Sequence, residues 1–529
     1  MRDFQLPGRS PVYALNGMAA TSQPMATSVA VDVLRGGGNA IDAAVAACAV
    51  LCVVEPQSTG IGGDCFALYA PGGGGEVIGY NGSGRAPQAA SADWFLERGI
   101  DAIDPRSAHA VTIPGAIDAW TRLIADHGRT SLDQLLQPAI DLAENGYAVH
   151  PRVAADWHAA AGKLSRDETA ARIFLPGGKS PPAGAVHRQP ELAGTLRRIA
   201  AEGRDGFYAG PVAEDIVGML RARGGLHTLD DFAAAAGEYV TPIHTGYRGL
   251  DIFECPPNGQ GITALIMLNV LAGYRLSELD PLGVERLHLE IEAGRLAFCD
   301  RDALVADPAQ SEVPVARLLS SGHADELRAR IRRDRALTGL PPPAFPAHHD
   351  TVYLCVVDRD RNAVSFINTL FARFGSGLMS PKTGVVLHNR GFGFVIEPGH
   401  PNCIAPGKRP LHTIIPGMAL DGGRVAMTFG VKGAHYQPFG HVHFLTNVID
   451  YGMDLQAALD APRVFRYGEI CEVERGIPRD SARGLEALGH RVEIAKSPLG
   501  GGQAIRIDWT SGVLTGGSDP RKDGCALGY

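Results

Sequence analysis

The sequence predicts an α+β fold in which helices and strands form separate layers. Helical periodicity predominates from Pro114 to about Arg335, and β-favouring runs return after Thr351. Strands and helices do not alternate, and there is no internal repeat, which argues against a βαβ architecture. The chain has 529 residues, 45% of them hydrophobic, so it can bury the core of one large or two ordinary domains.

Apolar residues at helical spacing predict the helices, and short β-favouring runs predict strands in the last third of the chain. The helix at 40–53 is apolar nearly all round, which predicts that it is buried. The predicted helices are 22–34, 40–53, 116–127, 132–144, 190–202, 212–223, 262–272, 284–299 and 324–335. The predicted late strands are 426–429, 491–495, 502–507 and 513–515.

A hairpin is predicted immediately after Thr351. Two β-favouring runs, Val352–Val357 and Ala363–Thr369, are joined by five turn-forming residues at 358–362. In a symmetric register Thr351 faces Thr369, and directly opposed Cβ atoms lie about 4.5–5.5 Å apart. Two hydroxyl groups are therefore predicted to meet at the open end of the hairpin. Threonine pairs of this kind are also common in ordinary sheets.

The segment before Thr351 suggests a catalytic role for this pair. Residues 335–350 have the Pro-rich composition of a mobile connector and run directly into the strand. Cleavage between Asp350 and Thr351 would give Thr351 a free α-amine. Such an amine has an unperturbed pKa of about 7.7–8, so it can act as a general base at neutral pH. One residue would then supply both the nucleophile and the base.

Several motifs resemble those of the γ-glutamyltranspeptidase family, whose members are self-cleaving N-terminal nucleophile hydrolases. The run T-V-Y-L-C-V-V-D from Thr351 resembles the start of the family's small subunit, and N-A-V-S, T-L-F, F-G-S-G and T-G-V-V-L-H-N follow it. The other matching runs are G-G-N-A-I-D-A-A-V-A-A at 37–47, E-P-Q-S-T-G-I-G-G-D at 55–64, P-P-N-G-Q-G-I-T-A-L at 256–265, P-G-K-R-P-L at 406–411 and N-V-I-D-Y-G-M at 447–453. They occur in the family's order, so the resemblance covers nearly the whole chain.

The resemblance implies a fold and a division of the chain. The fold would be the four-layer αββα sandwich of N-terminal nucleophile hydrolases, with both halves of the chain contributing strands. Cleavage would leave a large (α) subunit, residues 1–350, and a small (β) subunit, residues 351–529, that begins with the catalytic Thr351. The two fragments would stay together as an intertwined heterodimer, and further dimerisation is left open.

The resemblance also implies catalytic roles. Thr369 would hold the Thr351 hydroxyl. Attack on an amide creates an oxyanion, which paired backbone N–H groups near a helix start can stabilise. An ungapped alignment over 430–447 places Gly433 and Ala434 on the family's two oxyanion glycines. A simple helix-entry turn is the alternative interpretation of these two residues.

The substrate-recognition positions depart from the family pattern. Family members bind the α-amine of a γ-glutamyl group with polar and acidic side chains, but here those positions hold Phe371, Arg390 and Gly393. An arginine cannot bind an amine, because both are cationic hydrogen-bond donors. It can bind a carboxylate through two parallel hydrogen bonds. A surface role for Arg390 is the alternative.

The carboxylate-binding positions differ as well. The family's arginine position holds Ser83, within N-G-S-G-R-A-P, and its paired serines are replaced by His412 and Thr413. The segment 394–408 is too short for the lid of typical members. With the missing export signal, these features resemble the cytoplasmic amidohydrolase branch of the family, which includes oxamate amidohydrolases of purine ring degradation. The residues expected to line the substrate site are Arg390, His412, Thr413, Phe371 and Arg85.

Composition and charge argue against several other classes of protein. The net charge of -8 and the pI near 6.1 argue against a nucleic-acid partner. The basic cluster at 328–335 is predicted to be the solvated face of a helix. The N-terminus has no apolar signal region and no run approaches about 18 apolar residues, so we expect a cytoplasmic protein without membrane contact. The nine cysteines, with no close CxxC pair, are expected to be reduced and mostly buried.

No metal or cofactor is expected. His348, His349 and Asp350 form one cluster and His441 and His443 another, but neither has a complete ligand set at metal-binding spacing. The loop G-I-G-G-D-C at 60–65 lacks the lysine of a phosphate-binding loop. Close backbone approach to the active site is the preferred interpretation of that loop.

These observations predict a self-processing amidohydrolase that acts on a small carboxylate-bearing amide, with oxamate as the favoured substrate. The same chemistry would serve a γ-glutamyltransferase or glutathione hydrolase, or a β-lactam side-chain acylase. Phe371 and the short lid segment favour the acylase over glutathione. An uncleaved, inactive binding protein is the alternative from another class, and the intact Thr351 and Thr369 argue against it.

Overall fold

The computed structural model describes residues 5, 8–343 and 351–529. Its strands are, in chain order, β1 (Val12–Ala14), β2 (Met18–Thr21), β3 (Asp64–Ala70), β4 (Ile78–Gly82), β5 (Tyr147–Ala148), β6 (Val186–His187), β7 (Glu238–Val240), β8 (Ile243–Tyr247), β9 (Leu250–Glu254), β10 (Val352–Val357), β11 (Ala363–Thr369), β12 (Gly417–Asp421), β13 (Arg424–Lys432), β14 (Val464–Tyr467), β15 (Ile470–Val473), β16 (Arg491–Ile494), β17 (Gly501–Ile507), β18 (Leu514–Ser518) and β19 (Cys525–Gly528).

The α-helices of the described residues are α1 (Pro24–Arg35), α2 (Ala40–Val54), α3 (Ala92–Leu96), α4 (Ala116–His127), α5 (Leu132–Asn145), α6 (Pro151–Leu164), α7 (Glu168–Phe174), α8 (Pro190–Glu202), α9 (Asp205–Tyr208), α10 (Gly210–Ala222), α11 (Leu229–Ala233), α12 (Gly261–Leu271), α13 (Val284–Leu304), α14 (Val315–Leu318), α15 (Ser321–Arg330), α16 (Gln437–Ile449), α17 (Leu455–Asp460) and α18 (Arg479–Ala487). Short 3₁₀ turns, including Arg390–Gly393 and Ala434–Tyr436, complete the set.

Two seven-stranded antiparallel sheets lie at the centre of the fold. The first sheet has the order β1-β18-β17-β13-β12-β9-β8, and the second has the order β19-β2-β10-β11-β3-β4-β7. Both sheets combine strands from before and after Thr351. In the second sheet, the hairpin of β10 and β11 lies between β2 and β3. The two sides of the predicted cleavage point therefore build one fold.

Three apolar layers hold the sheets and helices together. Along β10, Tyr353, Cys355 and Val357 belong to the core between the two sheets, whereas the alternate residues pack against the helical layer that includes α2. A third core lies between the first sheet and the helices α12, α13 and α16. Helix, sheet, sheet and helix follow one another, which is the four-layer αββα sandwich that the sequence resemblance implies.

The buried helix α2 shows how the sequence fixes one boundary of this core. Asn39 caps the helix by accepting a hydrogen bond from the Asp42 backbone N–H at 3.0 Å, and the Asp42 carboxylate accepts from the Asn39 N–H at 2.8 Å. This reciprocal capping box fixes the first turn after the glycines at 36–38. Every residue of α2 is buried, as predicted.

The prediction that helices come first and strands later is wrong. Strands β3, β4, β8 and β9 all precede Thr351. β3 is buried on both faces, so its sequence lacks the alternation of polar and apolar residues that marks a half-exposed strand. Helix α6 was also not predicted.

The basic cluster at 328–335 differs from its prediction. Helix α15 ends at Arg330 rather than at 335. The Arg328 guanidinium donates to the carbonyls of Asn269 and Val270, each at 3.0 Å, near the end of α12. A cation that satisfies the last carbonyls of a helix stabilises that end, so Arg328 serves packing between helices.

The lengths of the helices and the state of the cysteines can be compared with the sequence predictions. Within the described ranges, no helix is both long enough and apolar enough to cross a membrane. The cysteines are free; Cys299 and Cys525 are partly exposed and the other seven are buried. His348, His349 and Asp350, the last being the residue before the predicted cleavage point, lie outside the described residues.

Candidate active site

The hairpin has the register that the sequence predicts. β10 and β11 pair over their full length, with Val352 opposite Asn368, which brings Thr351 opposite Thr369. The two Oγ1 atoms lie 3.1 Å apart, and both residues are buried. A hydrogen bond therefore joins the two hydroxyl groups at one end of the layer between the sheets.

A second hydrogen bond orients the Thr369 hydroxyl. The Phe371 backbone N–H donates to Thr369 Oγ1 at 2.8 Å. Because this bond uses the oxygen as an acceptor, the Thr369 proton is available to the Thr351 oxygen. Phe371 has a φ of +74°, in the left-handed region that is rare for a bulky side chain and typical of functional sites. The turn after β11 thus fixes the donor that aligns the hydroxyl pair.

Asp64 continues this row of polar residues on the next strand. In the pairing of β11 with β3, Asp64 lies directly opposite Thr369. Opposed residues in an antiparallel pair share one face of the sheet. Thr351, Thr369 and Asp64 therefore line the same edge of the layer between the sheets, and all three are buried.

The glycine-rich loop before β3 makes a very close approach to the hairpin. A Cβ atom on Gly63 would lie 2.1 Å from the Thr369 carbonyl oxygen, and one on Gly62 would lie 2.2 Å from the Val386 carbonyl oxygen. Only glycine fits at such positions. This geometry agrees with the interpretation of residues 60–65 as a close backbone approach rather than a phosphate cradle.

Strand β13 of the first sheet runs toward the open end of the hairpin. Ser365 Oγ donates to the Phe429 carbonyl oxygen at 3.3 Å. One residue further on, Gly430 packs against the ring of Tyr353, so closely that a Cβ atom would lie 2.3 Å from it. Contacts between β13 and the hairpin thus advance in the direction of Thr351 as β13 approaches its end.

The chain turns sharply where β13 ends. Gly433 has a φ of 134° and Ala434 a φ of 52°, and a 3₁₀ turn and helix α16 follow. Among the described residues, neither backbone N–H has a hydrogen-bond acceptor. Two such N–H groups near a helix start can stabilise an oxyanion. The conformation of Ala434 is one that glycine adopts more readily, which fits its alignment with a family glycine.

Arg390 is fully buried, so the alternative of a surface residue is wrong. Its guanidinium carbon lies 3.7 Å from the centre of the Phe371 ring, and Nη1 donates to Thr413 Oγ1 at 3.0 Å. Nε is 3.9 Å from Asp64 Oδ2, and neither Nε nor Nη2 has a hydrogen-bond partner among the described residues. Burial lowers the pKa of Arg390 to about 9 and the Asp64 charge opposes this shift, so the group is cationic at neutral pH.

Asp64 is the centre of a buried polar cluster. Its Oδ1 accepts from the Gly84 N–H at 2.9 Å and from the Gly115 N–H at 3.3 Å. Its Oδ2 lies 3.0 Å from His412 Nε2 and 3.2 Å from His388 Nδ1. Burial alone would raise the pKa of Asp64, but the His388 and His412 rings outweigh it and hold the pKa far below its usual range. Asp64 is therefore ionised and balances the charge of Arg390.

His412 and Thr413 have different roles within this cluster. His412 Nε2 faces Asp64, and His412 Nδ1 accepts from the Ile414 N–H at 3.3 Å. Burial and the nearby Arg390 charge lower the pKa of His412 to about 3, so its ring is neutral. Thr413 holds Arg390 directly. His412 thus acts on the site through Asp64, whereas Thr413 acts through Arg390.

Arg85 is not brought into this cluster. Within the described residues its guanidinium donates to the Gly407 carbonyl at 3.1 Å and lies 3.6 Å from Asp307, beside a cavity of about 390 Å³ that Gly84 and Gly115 also line. Ser83 is buried and donates from Oγ to Asn81 Oδ1 at 2.8 Å. A substrate-binding role for Arg85 stays a prediction.

Gly393 lies at the end of the 3₁₀ turn that contains Arg390. Its carbonyl accepts from the Asn402 side chain at 2.6 Å. A Cβ atom on Gly393 would lie 3.1 Å from the Leu411 carbonyl oxygen. The turn therefore packs tightly against the segment that leads to His412.

His441 and His443 each lie beside a buried carboxylate. His441 Nδ1 lies 2.7 Å from Glu254 Oε1; burial raises the pKa of Glu254 and lowers that of His441 to about 3. Burial thus disfavours the charged form of both residues. His443 Nδ1 accepts from Arg286 Nη1 at 3.0 Å and lies 3.2 Å from Glu290. Arg286 also pairs with Glu290 at 3.1 Å, so both neighbours of His443 belong to one buried cluster.

One further group could resemble a metal site by composition, namely His288, Glu292 and His490. The ring nitrogens of its two histidines take part in other hydrogen bonds. His288 Nδ1 and His490 Nε2 bond to each other at 2.8 Å, and His288 Nε2 bonds to the Arg332 carbonyl at 2.7 Å. Arg466 Nη1 approaches His490 Nδ1 to 2.6 Å. These bonds engage all four ring nitrogens of the two histidines.

Sequence reasoning missed the role of Asp64, which appeared only as part of glycine-rich motifs. The available signal was an acidic residue directly between a G-G turn and a strand that is otherwise apolar. A carboxylate at such a position must find buried partners. The partners themselves come from distant parts of the chain, so the sequence alone did not identify them.

A family model and several known proteins match this chain. The model described as gamma-glutamyltranspeptidase matches residues 26–529. The chain belongs to the γ-glutamyltranspeptidase family. The resemblance in the motifs around Thr351 is thereby confirmed over the whole sequence.

Individual relatives within the γ-glutamyltranspeptidase family carry different names. The chain is 38% identical over 527 residues to the glutathione hydrolase-like YwrD proenzyme of Bacillus subtilis (strain 168), covering 98% of this chain and 99% of that protein. It is 34% identical over 534 residues to the oxamate amidohydrolase proenzyme of Klebsiella pneumoniae, covering 97% and 98%. A cephalosporin acylase from Bacillus halodurans superposes with a TM-score of 0.93 at 41% identity, covering 100% and 99%. The protein is thus an amidohydrolase of this family, with relatives that differ in substrate.

Proposed function

We propose that this protein is a self-processing amidohydrolase that cleaves small amides bearing a carboxylate, with oxamate as the favoured substrate. The observation that supports this most is the Arg390 guanidinium, which is buried and has Nη2 without a hydrogen-bond partner among the described residues. An incompletely paired buried cation is costly. A substrate carboxylate bound at Nη2 would remove that cost and would fix the adjacent amide.

Activation begins with Thr351. Its Oγ1 attacks the carbonyl carbon of Asp350, the peptide C–N bond breaks, and water hydrolyses the ester that forms. The products are residues 1–350 and 351–529, and Thr351 gains a free α-amine. Relatives named as proenzymes support such processing. The fragments are expected to stay together, because β10 and β11 lie between β2 and β3 in one sheet.

Turnover uses the same oxygen. The α-amine of Thr351 accepts the hydroxyl proton while Oγ1 attacks the amide carbonyl, and Thr369 holds the hydroxyl in line. The N–H groups of Gly433 and Ala434 stabilise the oxyanion. The protonated amine then gives its proton to the leaving nitrogen. Water, deprotonated by the same amine, releases the acyl group, so that oxamate and water give oxalate and ammonia.

The recognition positions argue against a γ-glutamyl substrate. The α-amine of such a substrate would lie beside the buried guanidinium of Arg390 and the ring of Phe371, which lie 3.7 Å apart. The ammonium and the guanidinium are both cations that can only donate hydrogen bonds, so they cannot pair. A glutathione hydrolase or γ-glutamyltransferase activity is therefore not favoured.

A β-lactam side-chain acylase is the second candidate. It is favoured by the full-length superposition on a cephalosporin acylase. The chemistry at Thr351 would be the same, with a larger acyl group beside Phe371. An uncleaved binding protein is less favoured, because the hydroxyl pair of Thr351 and Thr369 is intact at 3.1 Å. A cytoplasmic location is also part of the proposal, in keeping with the free thiols.

The test is product release by the wild-type protein from four amides. Oxamate is compared with pyruvamide, which has a neutral acetyl group in place of the carboxylate, and with glutamine as the γ-glutamyl amide; a cephalosporin amide is the fourth. We expect oxamate to exceed pyruvamide in kcat/KM by about 30-fold or more, since a carboxylate paired with a buried cation contributes roughly 2 kcal/mol or more. Equal turnover of oxamate and pyruvamide, or efficient turnover of glutamine, would contradict the proposal. Preference for the cephalosporin would select the second candidate.

A further inference from the structure

Gln260 lies between the two halves of the active site. It is fully buried and immediately precedes α12. Its Nε2 donates to the carbonyl oxygens of Thr413 at 2.8 Å and of Ala434 at 2.9 Å. Its backbone N–H donates to the His412 carbonyl at 2.9 Å. One side-chain amide thus joins the segment that holds Arg390 to the turn that supplies the oxyanion N–H groups.

The other end of this amide is fixed from α13. Arg301 Nη1 donates to Gln260 Oε1 at 2.8 Å and approaches His435 Nδ1 to 3.0 Å. Arg301 is itself fully buried and is paired with Asp302 through Nε at 2.7 Å. Both donors and the acceptor of the Gln260 amide are therefore used, and the guanidinium, which can only donate, determines which atom is the oxygen.

We propose that Gln260 is a positioning residue that holds the oxyanion turn and the Arg390 segment at a fixed separation. This role has two halves. The carboxylate half, in which Gln260 positions Thr413 and through it Arg390, rests on the proposed function of Arg390. The oxyanion half, in which Gln260 restrains Ala434, does not. Ala434 has a left-handed φ of 52°, which it keeps only while its neighbours hold it. The bond from Gln260 to the Ala434 carbonyl is one such restraint. The bond from Gln260 to the Thr413 carbonyl fixes Thr413, whose hydroxyl accepts a hydrogen bond from Arg390.

The consequence of losing this restraint follows from the geometry of catalysis. A misplacement of reacting groups by about 1 Å can cost about 100-fold in rate. Release of Ala434 should lower kcat for every amide, because every amide forms an oxyanion. Release of Thr413 should raise KM only for amides whose carboxylate is held by Arg390.

The experiment compares Gln260→Met with the wild type on oxamate and pyruvamide, with rates normalised to the amount of cleaved enzyme. Methionine keeps the volume of the side chain and removes all three hydrogen bonds. We expect kcat to fall about 10- to 100-fold on both substrates. KM should rise about 10-fold or more for oxamate and stay within about 3-fold for pyruvamide.

A matched control is Gln437→Met. Gln437 is also a buried glutamine, near the start of α16, and its Oε1 accepts from the Ile415 N–H at 3.1 Å. It does not contact the Thr413 or Ala434 carbonyls, so kcat and KM should stay within about 3-fold of wild type. Arg301→Lys serves as a second variant, because it keeps the cation beside Asp302 and removes the bond to Gln260; the same pattern is expected at smaller amplitude.

The outcomes separate this role from a purely structural one. Unchanged kcat in Gln260→Met on both substrates overturns the proposal. If wild type prefers oxamate, an unchanged KM for oxamate in Gln260→Met overturns the carboxylate half. Failure of both Gln260→Met and Arg301→Lys to give soluble protein, when Gln437→Met does, would assign Gln260 to folding and also overturn it. If wild type does not prefer oxamate to pyruvamide, the proposed function fails, yet the kcat loss on both amides still tests the oxyanion half.

Discussion

Thr351 Oγ1 and Thr369 Oγ1 lie 3.1 Å apart across the open end of the hairpin, and the Phe371 N–H donates a hydrogen bond to Thr369 Oγ1 at 2.8 Å. In the proposed mechanism this relationship makes Thr369 the partner that aligns the nucleophile. Thr369→Val keeps the shape of the side chain and removes its hydroxyl. We expect acyl transfer to slow by roughly 1.5–3 kcal/mol, the contribution of one hydrogen bond to a charged or reacting group. Initial rates of ammonia release measure the effect.

The control for this change is Thr369→Ser, which keeps the hydroxyl and should retain most of the activity. Thermal unfolding of both variants checks that the fold is intact. Wild-type rates of maturation and turnover in Thr369→Val would mean that the pair is an ordinary sheet contact.

Arg390 separates the substrate hypotheses. Arg390→Ala leaves a bound carboxylate unpaired, at an expected cost of roughly 2–4 kcal/mol in kcat/KM, or about 30- to 800-fold. Arg390→Lys should recover only part, because its ammonium lacks the planar fork that pairs with a carboxylate. Pyruvamide should be a poor substrate for wild type and nearly indifferent to the change. Equal losses on oxamate and pyruvamide would show instead that Arg390 acts on folding or maturation.

The left-handed conformation of Ala434 gives a test of the oxyanion turn. Ala434→Gly should keep kcat within about 3-fold, because glycine adopts this φ without strain. Ala434→Val should lower kcat about 10-fold or more, since a β-branched residue disfavours φ near 52° and displaces the N–H groups. Comparable kcat in the valine and glycine variants would argue against an oxyanion role for this turn.

His412 should contribute to the pH dependence of stability. Well above pH 6.5 the His412 ring is unprotonated in both the folded and the unfolded chain. As the pH falls below 6.5, the unfolded chain binds the proton, whereas the folded chain does so only near its pKa of about 3. The free energy of unfolding should therefore decrease, by about 2 kcal/mol at pH 5 from this group.

The measurement is denaturant unfolding at pH 7 and pH 5 for wild type and His412→Asn. The difference between the two pH values should be smaller in the variant by about the same 2 kcal/mol. His158→Asn, at an exposed histidine outside the Asp64 cluster, is the control for the substitution itself. An unaltered difference in His412→Asn would contradict the buried, neutral ring.

The hairpin register could be predicted because it depends on local sequence alone. Two β-favouring runs and a five-residue turn define which residues face each other, and the pairing of β10 with β11 follows them. Helices α4 and α8 were likewise predicted with their observed ends, 116–127 and 190–202. In these segments the apolar stripe and the boundary residues indicate the same element.

The partners of the buried ionic cluster could not be predicted. Asp64 meets His388 and His412 only because β3, the segment before the Arg390 turn and the segment before β12 converge in space. Arg85 was expected to line the substrate site, but its guanidinium donates to the Gly407 carbonyl and lies 3.6 Å from Asp307, so its binding role stays a prediction. Side-chain direction depends on packing between distant elements rather than on local pattern.

The most direct test of the central claim is the mass of the purified protein. The account predicts two fragments, residues 1–350 and 351–529, with Thr351 at the N-terminus of the second. Thr351→Ala should remain a single chain, because it lacks the hydroxyl that attacks the preceding peptide bond. Thr351→Ser should be cleaved, more slowly. A wild-type protein that stays full length after prolonged incubation, or cleavage of Thr351→Ala at the same bond, would contradict self-processing by Thr351.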